Sequence, residues 1–182
     1  MRFRTNLILR LGLIWLLLAS GNGHSQSSPP TEYQIKAAFV FNFAKFIEWP
    51  STALPTSTSP IVIGFLGENP IHDDLKRMTQ NKTIDAHPLL VKKLVSVAEA
   101  TNCQILFIGT SERARLPLIL NGLKGTSVLT VAEMDHFIES GGMVNFVVEG
   151  TKVRFEINND AATGAGLKIS SKLLTIALHP AR

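Results

Sequence analysis

The chain has 182 residues, 45% of them hydrophobic, with 18 Lys and Arg against 14 Asp and Glu. Three of those cations (Arg2, Arg4 and Arg10) sit in an N-terminal stretch that reads as a leader, so the remainder carries only about +1 and a nucleic-acid partner is not implied. A single cysteine, Cys103, excludes an intramolecular disulfide, which is unusual for an exported domain.

Residues 1–25 carry a basic n-region, a short apolar run from Leu11 to Ala19, and small residues at Ala19, Ser20, Gly21 and Gly23. That is the layout of a secretory signal peptide. The run is short for a membrane span, which needs about 20 apolar residues, and no Cys near the cleavage zone offers a lipid anchor. An uncleaved N-terminal anchor is the alternative; either way the folded part is exported to the periplasm. Residues 26–31 read as a polar linker, and residues 32–180 as one domain of ordinary size with a proper core.

Residues 31–50 predict a helix with marked ends. Thr31 suits an N-cap, with Gln34 as its capping-box partner. Pro50 pushes Trp49 out of the helical region and stops the helix there. Phe39, Phe43 and Phe46 share one row, Val40, Ala44 and Ile47 the next, and polar residues remain only at Lys36, Asn42, Lys45 and Glu48. So wide an apolar arc must be covered on more than one side. Either it is a core helix of one domain, or part of the arc (Phe39, Phe43, Phe46, Ile47 and Trp49) is a dimer or partner interface.

Strand and helix then alternate. Ile61–Leu66 reads as a buried strand, Asn69-Pro70 as a helix start, and Thr83–Leu94 as an extended stretch placed near an edge by Pro88. Val95–Thr101 reads as a short helix or turn. Gln104–Ile108 is a second buried strand, Gly109-Thr110-Ser111 opens a helix through Leu123 with Ser111 as N-cap, Ser127–Val131 is a strand, and Ala132–Ile138 a short helix. Met143–Glu149 and Lys152–Asn158 flank Gly150-Thr151 as an antiparallel hairpin. Asn158 opens a loop, and Lys168–Leu178 reads as a closing helix. The fold class is α/β: a three-layer sandwich, with helices on both faces of a mostly parallel central sheet carrying an antiparallel edge hairpin.

Motifs that hint at chemistry have plainer explanations. The GFLGEN stretch after the first long strand lacks GxGxxG and a P-loop Lys, and reads as a tight strand-to-helix turn. His72-Asp73-Asp74 reads as a solvated helix start, because adjacent helical positions do not face one another. His87 and His136 have no ligand-spaced partner. The G-x-S-x-G elbow is missing around Ser111, and Cys103 lies in an apolar run as a small buried residue. Without a nucleophile–base pair, a hydrolase is disfavoured; no catalytic residue, cofactor or metal is expected. A small-ligand pocket built from Gly67, Glu68, Asn69, Asn145, Arg154 and Asn158, near the carboxyl ends of strands, would instead make the protein a small-molecule sensor.

The segments YQIKAAFVFNFAKFIEWP, IVIGFLGENP, CQILFIG, SVLTVAE, GGMVNFVVEGTKVRFEINNDAA and GLKISSKLLTIA, in this order behind a signal peptide, resemble the YfiR/HmsC-like family from about Tyr33 to Ala177. The resemblance implies a non-enzymatic periplasmic α/β protein, usually a homodimer. Such a protein represses an inner-membrane diguanylate cyclase by holding its periplasmic domain inactive, and an outer-membrane lipoprotein can sequester it. Cyclic di-GMP, exopolysaccharide and biofilm then rise. Familiar members carry a Cys pair involving the position of Cys103; its mate is absent here, which puts a redox-tuned version in doubt.

Overall fold

The computed structural model describes residues 29–178, so the expected leader over residues 1–25 lies outside the described residues. In chain order the elements are α1 (Glu32–Phe46), β1 (Ile47–Glu48), β2 (Ile61–Leu66), α2 (Ile71–Thr79), β3 (Thr83–Ile84), β4 (His87–Leu94), α3 (Val97–Ala100) and β5 (Ile105–Ile108). A 3-10 turn (Thr110–Arg115) leads into α4 (Leu116–Gly122), followed by β6 (Leu129–Ala132), β7 (Val144–Glu149), β8 (Lys152–Ile157), α5 (Asn159–Gly164), β9 (Lys168–Ile169) and α6 (Ser171–Ile176).

Seven strands form the central sheet in the order β3-β4-β2-β5-β6-β7-β8. Strands β4, β2, β5, β6 and β7 are mutually parallel, and β3 and β8 close the two ends antiparallel. The expected class is therefore observed: an α/β sheet, mostly parallel, with the β7–β8 hairpin at one edge and helices on both faces. The continuous apolar runs follow from burial on both sides. On β2, Ile61, Ile63 and Phe65 enter one core cluster while Val62 and Leu66 enter the other; on β5, Ile105 and Phe107 alternate with Leu106 and Ile108 in the same way. Helices α1, α2, α5 and α6 cover the first face, and α3 and α4 the second.

Two local signals fall where the residues place them. The capping box at Thr31 is formed: its hydroxyl accepts from the Gln34 N–H, and the Gln34 side chain accepts from the Thr31 N–H at 2.9 Å. The hairpin turns at Gly150-Thr151, with Glu149 opposite Lys152.

The ends and connections depart from expectation where distant chain intervenes. Helix α1 stops at Phe46 rather than just before Trp49, because Ile47 and Glu48 pair antiparallel with Ile169 and Lys168 and the Phe46 carbonyl accepts from the Ser170 N–H. The closing helix expected from Lys168 is consequently split into β9 and α6, with Ser170 as the cap. Thr83–Leu94 is two strands around Asp85-Ala86, both at positive φ. The segment expected as a helix over Ala132–Ile138 contributes Ala132 to β6 and then turns irregularly, its Met134 N–H held by the Asn145 side chain. The loop expected after Asn158 is helix α5, because the Asn158 carboxamide caps it through the Ala161 N–H (3.0 Å). Gly109, not Ser111, precedes the 3-10 turn; the Ser111 hydroxyl instead accepts from the Glu68 N–H at 3.0 Å.

Candidate interaction surface

Helix α1 meets the expected need for cover on several sides: the sheet lies beneath it and α2 and α6 flank it. Of the five aromatic and aliphatic residues singled out on it, Phe43 and Ile47 lie in the core of the single chain. Phe43 packs edge-on against Phe155 (5.2 Å between centroids) and beside Phe146 (5.9 Å). Three keep partial exposure. Trp49 is anchored by its indole N–H, which donates to the Gln104 carbonyl at 3.1 Å. Phe46 sits between the ammonium groups of Lys45 and Lys172, 5.5 and 6.0 Å from its centroid, a cation–π arrangement that suits a ring at the surface.

Phe39 has a different setting. Together with Ile35, Val153, Arg154, Phe155 and Ile176 it lines an open groove of about 390 Å³ between α1, the outer end of β8 and α6. Ile176 is 53% exposed there. Phe39 and Arg154, assigned by sequence reasoning to two separate sites, share this one groove. The period-two pattern of β8 could have placed Val153 and Phe155 under α1, but it puts Arg154 on the other face, so it could not have joined Arg154 to Phe39.

The six residues proposed as a ligand pocket are not brought together. Asn145 is buried and its carboxamide oxygen holds the Met134 N–H (3.0 Å). Asn158 caps α5, and Arg154 lines the groove by α1. The distance between β2 and β7, with β5 and β6 intervening, explains the separation. Gly67, Glu68 and Asn69 do share a cavity of about 320 Å³ with Phe65, His72 and Lys93. His72 is not solvated as expected. It is buried, its ring edge-on to Phe65 at 5.3 Å, and its Nδ1 lies 2.7 Å from the Asp73 carboxylate. That hydrogen bond holds the Asp73 carboxyl below its ordinary range.

In open α/β sheets ligands favour the crevice where the strand order reverses, which here lies between β2 and β5. Protein fills it. Gly67, at φ 79°, abuts Ser111, and a methyl group on Gly109 would lie 2.3 Å from the Glu68 carbonyl oxygen. The two loops therefore pack closely against each other at this point, beside the cavity at Gly67, Glu68 and Asn69.

Sequence reasoning missed Lys36, one of the few polar residues on α1. It is 1% exposed. Its ammonium donates to both carboxylate oxygens of Glu133 at 2.7 Å and to Glu32 one turn earlier, tying α1 to the end of β6. Burial opposes its charge, but the hydrogen bonds and charges of Glu133 and Glu32 outweigh burial, leaving its pKa above the ordinary 10.5. No spacing rule could have paired Lys36 with a residue so far along the chain.

The family model described as YfiR/HmsC-like matches residues 33–178. The chain belongs to the YfiR/HmsC-like family. No match was found among curated proteins. This YfiR/HmsC-like chain is also similar in fold to a solved structure, the crystal structure of a conserved domain protein from Vibrio cholerae O1 biovar eltor. The TM-score is 0.54 at 11% identity, and the match covers 84% of this chain and 61% of that one. The YfiR/HmsC-like chain thus spans less than two thirds of that neighbour's length. Its Cys103 is buried, and burial, with Glu99 adding and Lys92 opposing, pushes the thiol up to about 11. A thiol so protonated is a packing group at neutral pH.

Proposed function

We propose that this YfiR/HmsC-like protein is a non-enzymatic periplasmic regulator that binds the periplasmic domain of an inner-membrane diguanylate cyclase and represses it, lowering cyclic di-GMP and with it exopolysaccharide and biofilm. The family match over residues 33–178 carries this reading. A protein outside the membrane changes a cytoplasmic active site only by binding one state of the enzyme better than the other. It needs surface, not chemistry, and the groove between α1, β8 and α6 supplies apolar surface with Arg154 at its rim. An outer-membrane lipoprotein would relieve repression by competing for the protein, which acts as a homodimer.

Deleting the gene tests the proposal: cyclic di-GMP rises. A level unchanged or lowered overturns it. Complementation with Ile176→Asp, on an exposed position of the groove, leaves cyclic di-GMP high while the purified variant melts like the parent. Full repression by that variant moves the interface elsewhere. Sizing of the purified protein checks the dimer, which Phe46→Asp reduces to monomer if the end of α1 forms it.

The cavity beside His72 favours a second reading, a small-molecule sensor whose ligand tunes the repressor. A thermal-shift screen with amino acids and nucleotides tests it, since a ligand of the folded form raises Tm. A flat screen counts against the sensor and leaves the repressor untouched.

A further inference from the structure

The two edges of the central sheet are finished differently. On β8 the outward-facing carbonyl of Phe155 is taken by the Leu178 N–H at 2.8 Å, and Leu178 bridges Glu156 in parallel. The chain thereby covers part of that edge itself. On β4 the short β3 pairs only with His87 and Pro88, and the Lys82 carbonyl accepts from the Leu89 N–H at 3.3 Å. From Leu89 to Leu94 the strand has β2 on its inner side and no strand on its outer side among the described residues. Main-chain groups alternate in direction along a strand, so Val91 and Lys93 point their N–H and C=O outward, as Leu89 does.

A trough of about 750 Å³ runs beside this edge, between β4 and the end of α2, with Lys76, Arg77, Lys82, Pro88, Leu90 and Val91 in its wall. Leu90 is 40% exposed there. The cations continue along the strand as Lys92 and Lys93, which together with Lys76 and Lys82 make no salt bridge among the described residues. Lys92 and Lys93 flank the edge on opposite faces, Lys92 beside Val62 and Leu94 and Lys93 beside Phe65 and His72, so unpaired main chain, the exposed Leu90 and lysines on both faces meet along one edge, with Asp73 and Asp74 the acids nearby.

We propose that the outer edge of β4 receives an extended acidic segment of a partner protein by strand addition. The partner's main chain pairs with Val91 and Lys93, an apolar side chain meets Leu90, and its carboxylates meet the lysines. A second copy of this chain is the wrong occupant, because edge-to-edge pairing would set one lysine row against another. The surface lies away from the groove between α1, β8 and α6, so the inference stands whether or not that groove binds a cyclase.

The probe is a labelled octapeptide of alternating Glu and Val, with a Lys and Val octapeptide as control, titrated into the purified protein by fluorescence anisotropy. The acidic peptide saturates below about 1 mM at low salt, the basic one does not bind, and about 0.3 M salt weakens the acidic one. Lys92→Glu together with Lys93→Glu weakens binding about tenfold or more. Val91→Pro, which removes an outward N–H that β2 does not use, does the same, while Val91→Ala, which loses the same packing against the first core but keeps the N–H, binds like the parent. Amide hydrogen exchange provides a readout that needs no variant: the Val91 and Lys93 amides become protected on saturation and the Val153 amide does not. No binding of the acidic peptide, binding with protection elsewhere, or loss with the charge reversals but not with Val91→Pro would each overturn strand addition and leave the lysines as guards against aggregation.

Discussion

The two faces of the sheet are packed by different means. Under α1 the core is aromatic: Phe39, Phe43, Phe146 and Phe155 meet at centroid distances from 5.1 to 6.4 Å, and Phe107 and Phe65 extend the contact across the sheet. The opposite face is mostly aliphatic, with Phe137, Cys103 and the bare Gly64 among its members. It also buries polar groups. The Thr130 hydroxyl accepts from the Met143 N–H and the Asn145 carboxamide from the Met134 N–H. A long helix satisfies its own backbone and leaves its side chains free to be apolar. The irregular segment between β6 and β7 cannot, so the strands beneath it supply acceptors. Burial of polar side chains here follows from where regular structure stops.

The largest break in that contrast is Phe43→Ala, which removes a fully buried ring and costs about 3–5 kcal/mol in denaturant unfolding. A cost below about 1 kcal/mol would mean the aromatic nest is not the main support of the first face. Asn145→Ala leaves the Met134 N–H buried without an acceptor, at about 1–3 kcal/mol. Asn145→Asp retains an acceptor oxygen and recovers part of the loss; equal stability of all three proteins would show the segment is held by other means. Gly64→Ala sharpens the packing side of the comparison, since its methyl would lie 2.6 Å from Leu94 and 2.9 Å from the Cys103 sulfur. Overpacking of this kind costs about 1–3 kcal/mol, and Gly64→Ala combined with Cys103→Ala recovers some of it.

Lys36 is the buried ammonium on the aromatic side, where His72 and Thr79 are also buried. Its folded pKa is raised, so its contribution is complete below the unfolded value of 10.5 and is lost as pH rises through the higher folded value. The stability difference between the parent and Lys36→Met is therefore flat from neutral pH to about pH 9 and changes only in strong alkali; a change between pH 6 and 8 would assign it to another group. The smallest expected effect is on Cys103 chemistry. With its thiol pushed up to about 11 and its side chain buried, native protein at pH 8 is inert to a thiol reagent and reacts only on unfolding. Rapid native labelling would contradict the packing role.

Residues read in order reveal what neighbours within a few positions can decide. The Thr31–Gln34 capping box, the alternation of Val153, Phe155 and Ile157 with charged residues, and the double-sided apolar strands are all local patterns with local causes. Phe39 and Arg154 were both legible as site candidates, but not their shared groove, because it is made by α1, β8 and α6 together. The fold settles that α1 yields to a strand at Ile47, that Phe43 is fully buried while Phe39 stays partly exposed, that Lys36 is buried against Glu133, and that His72 lies under cover beside Phe65. It also decided that Leu178 closes one sheet edge while the other stays open beyond Leu89. Each of these depends on which distant segment arrives as a partner, and contacts across the fold form between residues whose separation in the chain carries no periodic signal.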